Sequence, residues 1–424
     1  MADIISGKFG LKKNNRSEDI TDSEALDAEL DADELAAAAE EDLEDAQVRV
    51  RNHRIKIGMG IALAIVLVVI FVIAVPIIKD NITYSGYSVV DSVNCDDSES
   101  TKYISYLDGY IKYSNDGVSY YNGKGVAVWN QTVSMSNPQI KVCHDAVAVG
   151  DINGSTICVF NKTGMLGTVD TSLAISQIEV AKQGVVAAVL EDNEANYINL
   201  YNTDGSRIYS VKTSLAGDGY PLDVSISDDA TKLVASYLYV SGENVKTNVV
   251  FYNFSDVGQN ETERVVGGFN HYDSTIVGDV TFINKTTAVA IGENVLSIYT
   301  IKEYPKEPKD IAIENEIDRV FFSDQYIGLV LNNSDSTDMY KLQVYDTSGK
   351  KVCESTFNMQ YDGVQFDGKS IVMYNSSGFV VMNLNGKVLA DLSVELPLEK
   401  ILTTGTRGKY VMVNSKYIQN IKLK

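Results

Sequence analysis

A short turn recurs along this chain at intervals of roughly forty to fifty residues, a period that marks a series of small repeated sheets. Each copy sets an aromatic or apolar residue before Asn or Asp, then a glycine, then a new strand. The copies read YNGKGVAVW at 121–129, FNKTGMLGT at 160–168, YNTDGSRIY at 201–209, YDTSGKKVC at 345–353 and MNLNGKVLA at 382–390. Asn, Asp and Gly tolerate the positive φ that tight β-turns demand, so Gly125, Gly164, Gly205, Gly349 and Gly386 are read as hairpin turns. Less regular copies stand at 251–258 and 297–303.

Between the turns the chain alternates apolar and β-branched residues with polar ones, and no convincing amphipathic helix comes after residue 80. The repeats begin near Tyr103, Ile140, Ile178, Leu222, Val280, Val320, Val364 and Ile401. The last has only about three strands before the chain stops, and YSGYSVVDSV at 84–93 is a spare strand before the first. One terminus supplies what the other lacks, which is how a propeller closes its ring and removes its sheet edges. The predicted fold is all-β: a β-propeller of about eight, alternatively seven, four-stranded blades over 84–424.

The turn residues also carry a family resemblance. YDTSGKKV and YNTDGSRI resemble the repeat of pyrroloquinoline-quinone-type propellers, where a docking tryptophan stands four residues after the glycine. Trp129, the only tryptophan, stands there after Gly125, and Tyr209 takes the place in a later repeat; Thr168, Cys353 and Ala390 occupy it elsewhere. With the acidic stretch at residues 1–56 and the charge-free run IGMGIALAIVLVVIFVIAVPII at 57–78 that precede it, the propeller resembles uncharacterised membrane-anchored propeller proteins of Gram-positive bacteria, known only as a domain of unknown function. Quinone-dependent enzymes of the resembled fold use adjacent cysteines, and this chain has no Cys-Cys pair, so no cofactor is expected.

Ahead of the repeats, residues 57–78 read IGMGIALAIVLVVIFVIAVPII without a charge. As a helix this run spans about 33 Å, the thickness of a bilayer's hydrocarbon core. Arg49, Arg51, Arg54 and Lys56 flank its start, whereas Lys79 beside Asp80 flanks its end. The positive-inside rule then puts the N-terminus in the cytoplasm and the repeats outside the cell membrane, on a single-pass signal anchor with a short linker at 79–83.

Residues 1–56 carry 15 acidic and 8 basic side chains, and the stretch from Ser17 to Val48 holds fourteen acids and no base. Like charges at i, i+4 oppose a helix there while alanine and leucine favour one. The tail is read as mostly disordered, or as a docking site for a basic cytoplasmic protein. The formal net charge of −21 repels phosphate backbones, so nucleic acid is not an expected partner.

Reactive groups are sparse. Four cysteines are too few for a disulfide scaffold, and Cys143 and Cys158 fall on non-neighbouring strands. Three histidines (His53, His144, His271) stand apart, no metal-ligand or nucleophile motif is present, and no catalytic, cofactor or metal residue is assigned. Acidic clusters at Asp96, Asp97 and Glu99, at Asp228 and Asp229, and at Asp335 and Asp338 lack calcium-loop spacing and read as solvated turns. Eight tyrosines between Tyr84 and Tyr121 either pack between blades or form an exposed platform.

These features predict a non-enzymatic binding or scaffolding protein of the cell envelope, whose partner is an envelope protein or cell-wall polymer. The alternatives are a polysaccharide hydrolase or lyase using channel-mouth carboxylates, and a signalling receptor acting through the acidic tail.

Overall fold

Alternating β-branched and polar residues carry the repeats into thirty-two strands, which form eight four-stranded antiparallel sheets in the computed structural model. The structure describes residues 22–424 except 96, 97, 99, 216, 273, 274, 335 and 336. Two units are distinguished, Met1–Lys79 and Asp80–Lys424, and the sheets all belong to the second.

Seven sheets, the blades, use four strands in chain order. Their first strands are Lys102–Tyr106, Pro138–Cys143, Ala174–Val180, Tyr220–Ile226, Val277–Asn284, Ile317–Phe322 and Gly363–Asp367. The eighth begins with Leu398–Thr403 and ends with Tyr87–Asn94, which pairs antiparallel with Tyr417–Leu423 in the register Tyr87↔Leu423 to Asn94↔Tyr417. The spare N-terminal strand therefore closes the ring, and the blade number is eight. Each predicted repeat start lies inside one of the eight first strands.

First strands touch one another between blades two and three, three and four, four and five, six and seven, and eight and one, which makes them the inner wall of the ring. Among the described residues, apolar side chains gather into eight clusters, each shared by two consecutive blades. The cluster of Tyr103, Tyr110, Leu402, Val411, Val413 and Ile418 joins blade eight to blade one. Burying each Val, Leu or Ile in such a cluster stabilises the fold by about 1.5 to 3 kcal/mol, so the ring is held at its blade interfaces.

The repeat glycines all have positive φ: 71° at Gly125, 130° at Gly164, 83° at Gly205, 73° at Gly349 and 78° at Gly386. In the clearest copies the preceding Asn or Asp organises the turn. Asp346 accepts from the backbone N–H groups of Ser348 and Lys350 at 2.9 and 3.0 Å, and the Gly349 N–H reaches the Asp346 carbonyl at 2.9 Å. Asn383 repeats this with Asn385, Lys387 and Gly386.

The first unit is helical. One helix runs Asp22–Asp80, and within it Ala39–Val72 is long and apolar enough to cross a membrane by length and composition. The acidic tail, read as mostly disordered, is thus helical from Asp22 onward, and the helix reaches into the segment read as a linker at 79–83. Its alanines and leucines are good helix formers and offset the like-charge spacing. Ser17, where the acidic stretch begins, lies outside the described residues, as do Asp96, Asp97, Glu99 and Asp335.

Candidate functional site at the ring centre

Five inner strands carry a β-bulge at the same place, and the residue just past it is polar or charged in every case. The bulges precede Gln177, Asp223, Asp279, Arg319 and Lys400. A bulge inserts one residue and re-aims the side chain beyond it, a device common beside functional sites. Two residues along the same faces stand Glu179 and Ser225, and the inner strand of blade two contributes Gln139 and Lys141.

Four of these side chains, from blades two to five, act on one another. Lys141 of blade two forms an ion pair with Glu179 of blade three and interacts with Asp223 of blade four and Asp279 of blade five. The Asp223 and Asp279 carboxyls are close enough for each to act on the other's ionisation. Burial raises the Asp223 carboxyl to about 7; Asp279 and Glu179 add to the rise, while the Val280 N–H and Lys141 oppose it. Burial likewise raises Glu179 and Asp279. For Lys141 burial works against the charge, but the three carboxylates around it outweigh burial and hold the ammonium above the ordinary lysine value. Lys400 is moved the other way: burial and then the neighbouring Lys102 charge lower it.

Part of this wall has a structural duty. The inner strands would leave N–H groups without ladder partners, and neighbouring blades supply acceptors. Val280 N–H donates to Asp223 at 2.8 Å, Phe282 N–H to Ser225 at 3.0 Å and Thr403 N–H to Ser105 at 3.0 Å. Gln177 and Gln365 donate to the Leu222 and Ile401 carbonyls at 2.7 and 2.8 Å. No such backbone contact engages Lys141 or Glu179 among the described residues, which leaves their charges for each other and for a ligand.

A hollow of about 360 Å³ opens beside Asp279 and is also lined by Gly278, Glu293 and Glu316. A larger cleft of about 650 Å³ between blades seven and eight is lined by Asp391 and Glu395 but by no basic residue. Opposed charges converge at the axis, which is the better site for a polar ligand.

The residues singled out from sequence serve the blades instead. Trp129 stacks on Phe160 of the next blade with centroids 5.1 Å apart and donates its indole N–H to the Asn161 carbonyl at 3.0 Å. Tyr209 packs on Phe254 at 5.5 Å and under the Arg264 guanidinium at 5.0 Å. Tyr103, Tyr106, Tyr110 and Tyr120 are buried, so the N-terminal tyrosines are packing residues first. Cys143, Cys158 and Cys353 form no disulfide, and Cys143 and Cys158 lie on the first and third strands of blade two. Arg49, Arg51, Arg54 and Lys56 are exposed on the helix.

Sequence reading did not single out the axial carboxylates, because nothing local separates them from the chain's other acids. The one signal available was positional: a polar residue just before the first β-branched residue of a repeat. Nor did it join His144 to an aspartate. His144 approaches Asp228 at 3.3 Å, and His271 approaches Asp310 at 3.1 Å, so the two histidines have separate partners. Burial, then the Asp228 charge, push the adjacent Cys143 thiol up to about 12.

The chain belongs to the family described as "Family of unknown function (DUF5711)", which matches residues 80–423. No curated protein matches the chain. Among solved structures it is similar to Saccharomyces cerevisiae Sqt1, at 11% identity and TM-score 0.49, over 80% of this chain and 98% of that one. It is also similar to Chaetomium thermophilum Sqt1 bound to the N-terminus of the ribosomal protein L10, at 10% identity and TM-score 0.49, over 76% and 98%. The Neurospora crassa Pan2 WD40 domain is similar at 10% identity and TM-score 0.40, over 67% and 88%. Likeness this low carries no inference about function.

Proposed function

We propose that this member of the DUF5711 family is a membrane-anchored binding or scaffolding protein of the cell envelope that engages its partner at the ring centre. The observation that carries this reading is the cluster of Lys141, Glu179, Asp223 and Asp279 on the inner strands of blades two to five; the inner strands of blades six and eight carry Arg319 and Lys400 just past the same bulge. Both charge signs at one site suit a segment that itself carries both, such as an exposed peptide of an envelope protein or a wall polymer with charged substituents. The apolar helix supplies the anchor. The basic cluster from Arg49 to Lys56 supports, by the positive-inside rule, a cytoplasmic acidic tail suited to a basic protein and a propeller on the outside.

The test is capture from envelope extracts by the full-length chain in detergent, beside a chain carrying Arg319→Glu and Lys400→Glu. A protein or polymer held by the first and lost by the second supports the reading. Equal retention by both, or none by either, contradicts it. Protease added to sealed cells should trim the propeller and spare the tail.

A further inference from the structure

We propose that Cys143, His144 and Asp228 form a binding site for a divalent transition-metal ion of the zinc type. The thiol sulfur, an imidazole nitrogen and a carboxylate oxygen all lie within 4.8 Å of one another. Cys143 Sγ stands 3.7 Å from Asp228 Oδ1, and His144 Nε2 stands 3.3 Å from Asp228 Oδ2. Ligands about 2.0 to 2.3 Å from a tetrahedral zinc ion stand about 3.3 to 3.6 Å apart; the two contacts, made to different oxygens of Asp228, match that spacing, and the wider separations, up to 4.8 Å, close by side-chain rotation as the ion binds. As direct hydrogen bonds the same contacts are long.

The ligands come from two blades that are not neighbours. Cys143 ends the inner strand of blade two and His144 follows it in the turn, while Asp228 comes just after the inner strand of blade four. The intervening blade fixes Asp228 from below: the Lys182 N–H donates to the Asp228 carbonyl at 3.0 Å, and the Gln183 amide donates to the Asp229 carbonyl at 3.0 Å. His144 has φ of 55°, a left-handed conformation seldom adopted by a residue with a side chain. Asp229 is already committed to Ser227 and Thr231, so it does not compete for the ion.

The donor set is chemically selective. Thiolate and imidazole favour zinc-type ions over calcium or magnesium, which take oxygen ligands. Binding replaces the thiol proton with the metal and releases it to solvent. Thiolate and Asp228 then bring two negative charges, Glu179 nearby adds a third, and Lys182 offsets one. Three protein ligands with an exposed imidazole leave a fourth position for water or a ligand group. The site stands on its own residues and does not depend on the partner proposed for the ring centre.

The test uses Co²⁺ as a spectroscopic stand-in for zinc. The full-length chain in detergent, stripped with a chelator, is titrated with Co²⁺ alone and then with competing Zn²⁺. One equivalent should produce a sulfur-to-cobalt charge-transfer band that zinc abolishes. Cys143→Ser should remove the band while Cys95, Cys158 and Cys353 remain. His144→Asn, which keeps a residue tolerant of positive φ, and Asp228→Asn should each weaken binding by about tenfold or more. Near-ultraviolet circular dichroism checks that each variant is folded; if Cys143→Ser is not, the two milder variants decide. The absence of a band, or a band unchanged in folded variants, overturns the assignment.

Discussion

The Asp223 carboxyl on blade four accepts the Val280 N–H of blade five at 2.8 Å, beside the carboxyl of Asp279, the residue before Val280. Two neighbouring buried carboxylates cannot both ionise cheaply, so the pair keeps a proton to a higher pH than either would alone. The same contact seals an interface between blades and places charge on the axis.

The proton gives a pH signature. Asp223 titrates at about 7 in the fold against an ordinary carboxyl value near 4, so the folded chain binds this proton more tightly than the unfolded chain. Its favourable contribution is full below about pH 4 and is lost as pH rises to about 7. Asp223→Asn retains an acceptor for Val280 and removes the titration. In urea unfolding of the propeller at several pH values, the wild type should lose stability relative to this variant between about pH 4 and 7, then run parallel above about pH 8. A difference that stays constant across that range contradicts the shared proton.

Closure of the ring by its first strand predicts an effect at a distance in sequence. Ile421 pairs with Val89 and is buried in the cluster shared by blades seven and eight. Ile421→Ala should cost about 2 to 5 kcal/mol. Proteolysis should then release the N-terminal strand before other segments, as peptide mapping can show.

How much of this was legible depends on the kind of signal each feature leaves. Eight repeat starts, the turn glycines and the closing strand could be read because each depends on local periodicity or on backbone conformation that only certain residues tolerate. Gly349 and Asp346 write their turn into four consecutive residues. Asp223 and Asp279 are far apart in the chain and meet only because the ring brings their strands together. Cys143 and Asp228 meet across a whole intervening blade, and no spacing rule links them. The tail's helicity depended on a balance between alanine and like charge that sequence left open.

Trp129 offers a clean test of blade docking. Trp129→Phe keeps much of the stacking on Phe160 and removes the bond to the Asn161 carbonyl. The expected loss is about 1 to 3 kcal/mol, and Trp129→Ala should cost more. Equal stability of the wild type and the Phe variant in thermal unfolding would show that the indole N–H is not a docking contact.

Gly349 tests the repeat turn. Its φ of 73° disfavours a side chain, and a Cβ would meet Lys309 Cδ at 2.9 Å and Ile298 Cδ1 at 3.2 Å. Gly349→Ala should destabilise by about 1 to 2 kcal/mol, while Gly349→Asn should be milder because Asn tolerates this conformation. The order of the two melting temperatures is the readout.

The most direct test of a binding site at the ring centre is site-specific photo-crosslinking in intact cells. A photoreactive residue replaces Gln139, which is exposed on the inner strand of blade two, two positions from Lys141. A second chain carries it at Glu243, in the hairpin loop between two strands of blade four. Partner binding at the axis predicts a discrete adduct from position 139 that disappears when Arg319 and Lys400 are changed to glutamate. An adduct from position 243 alone, or one from 139 that survives the charge reversal, contradicts it.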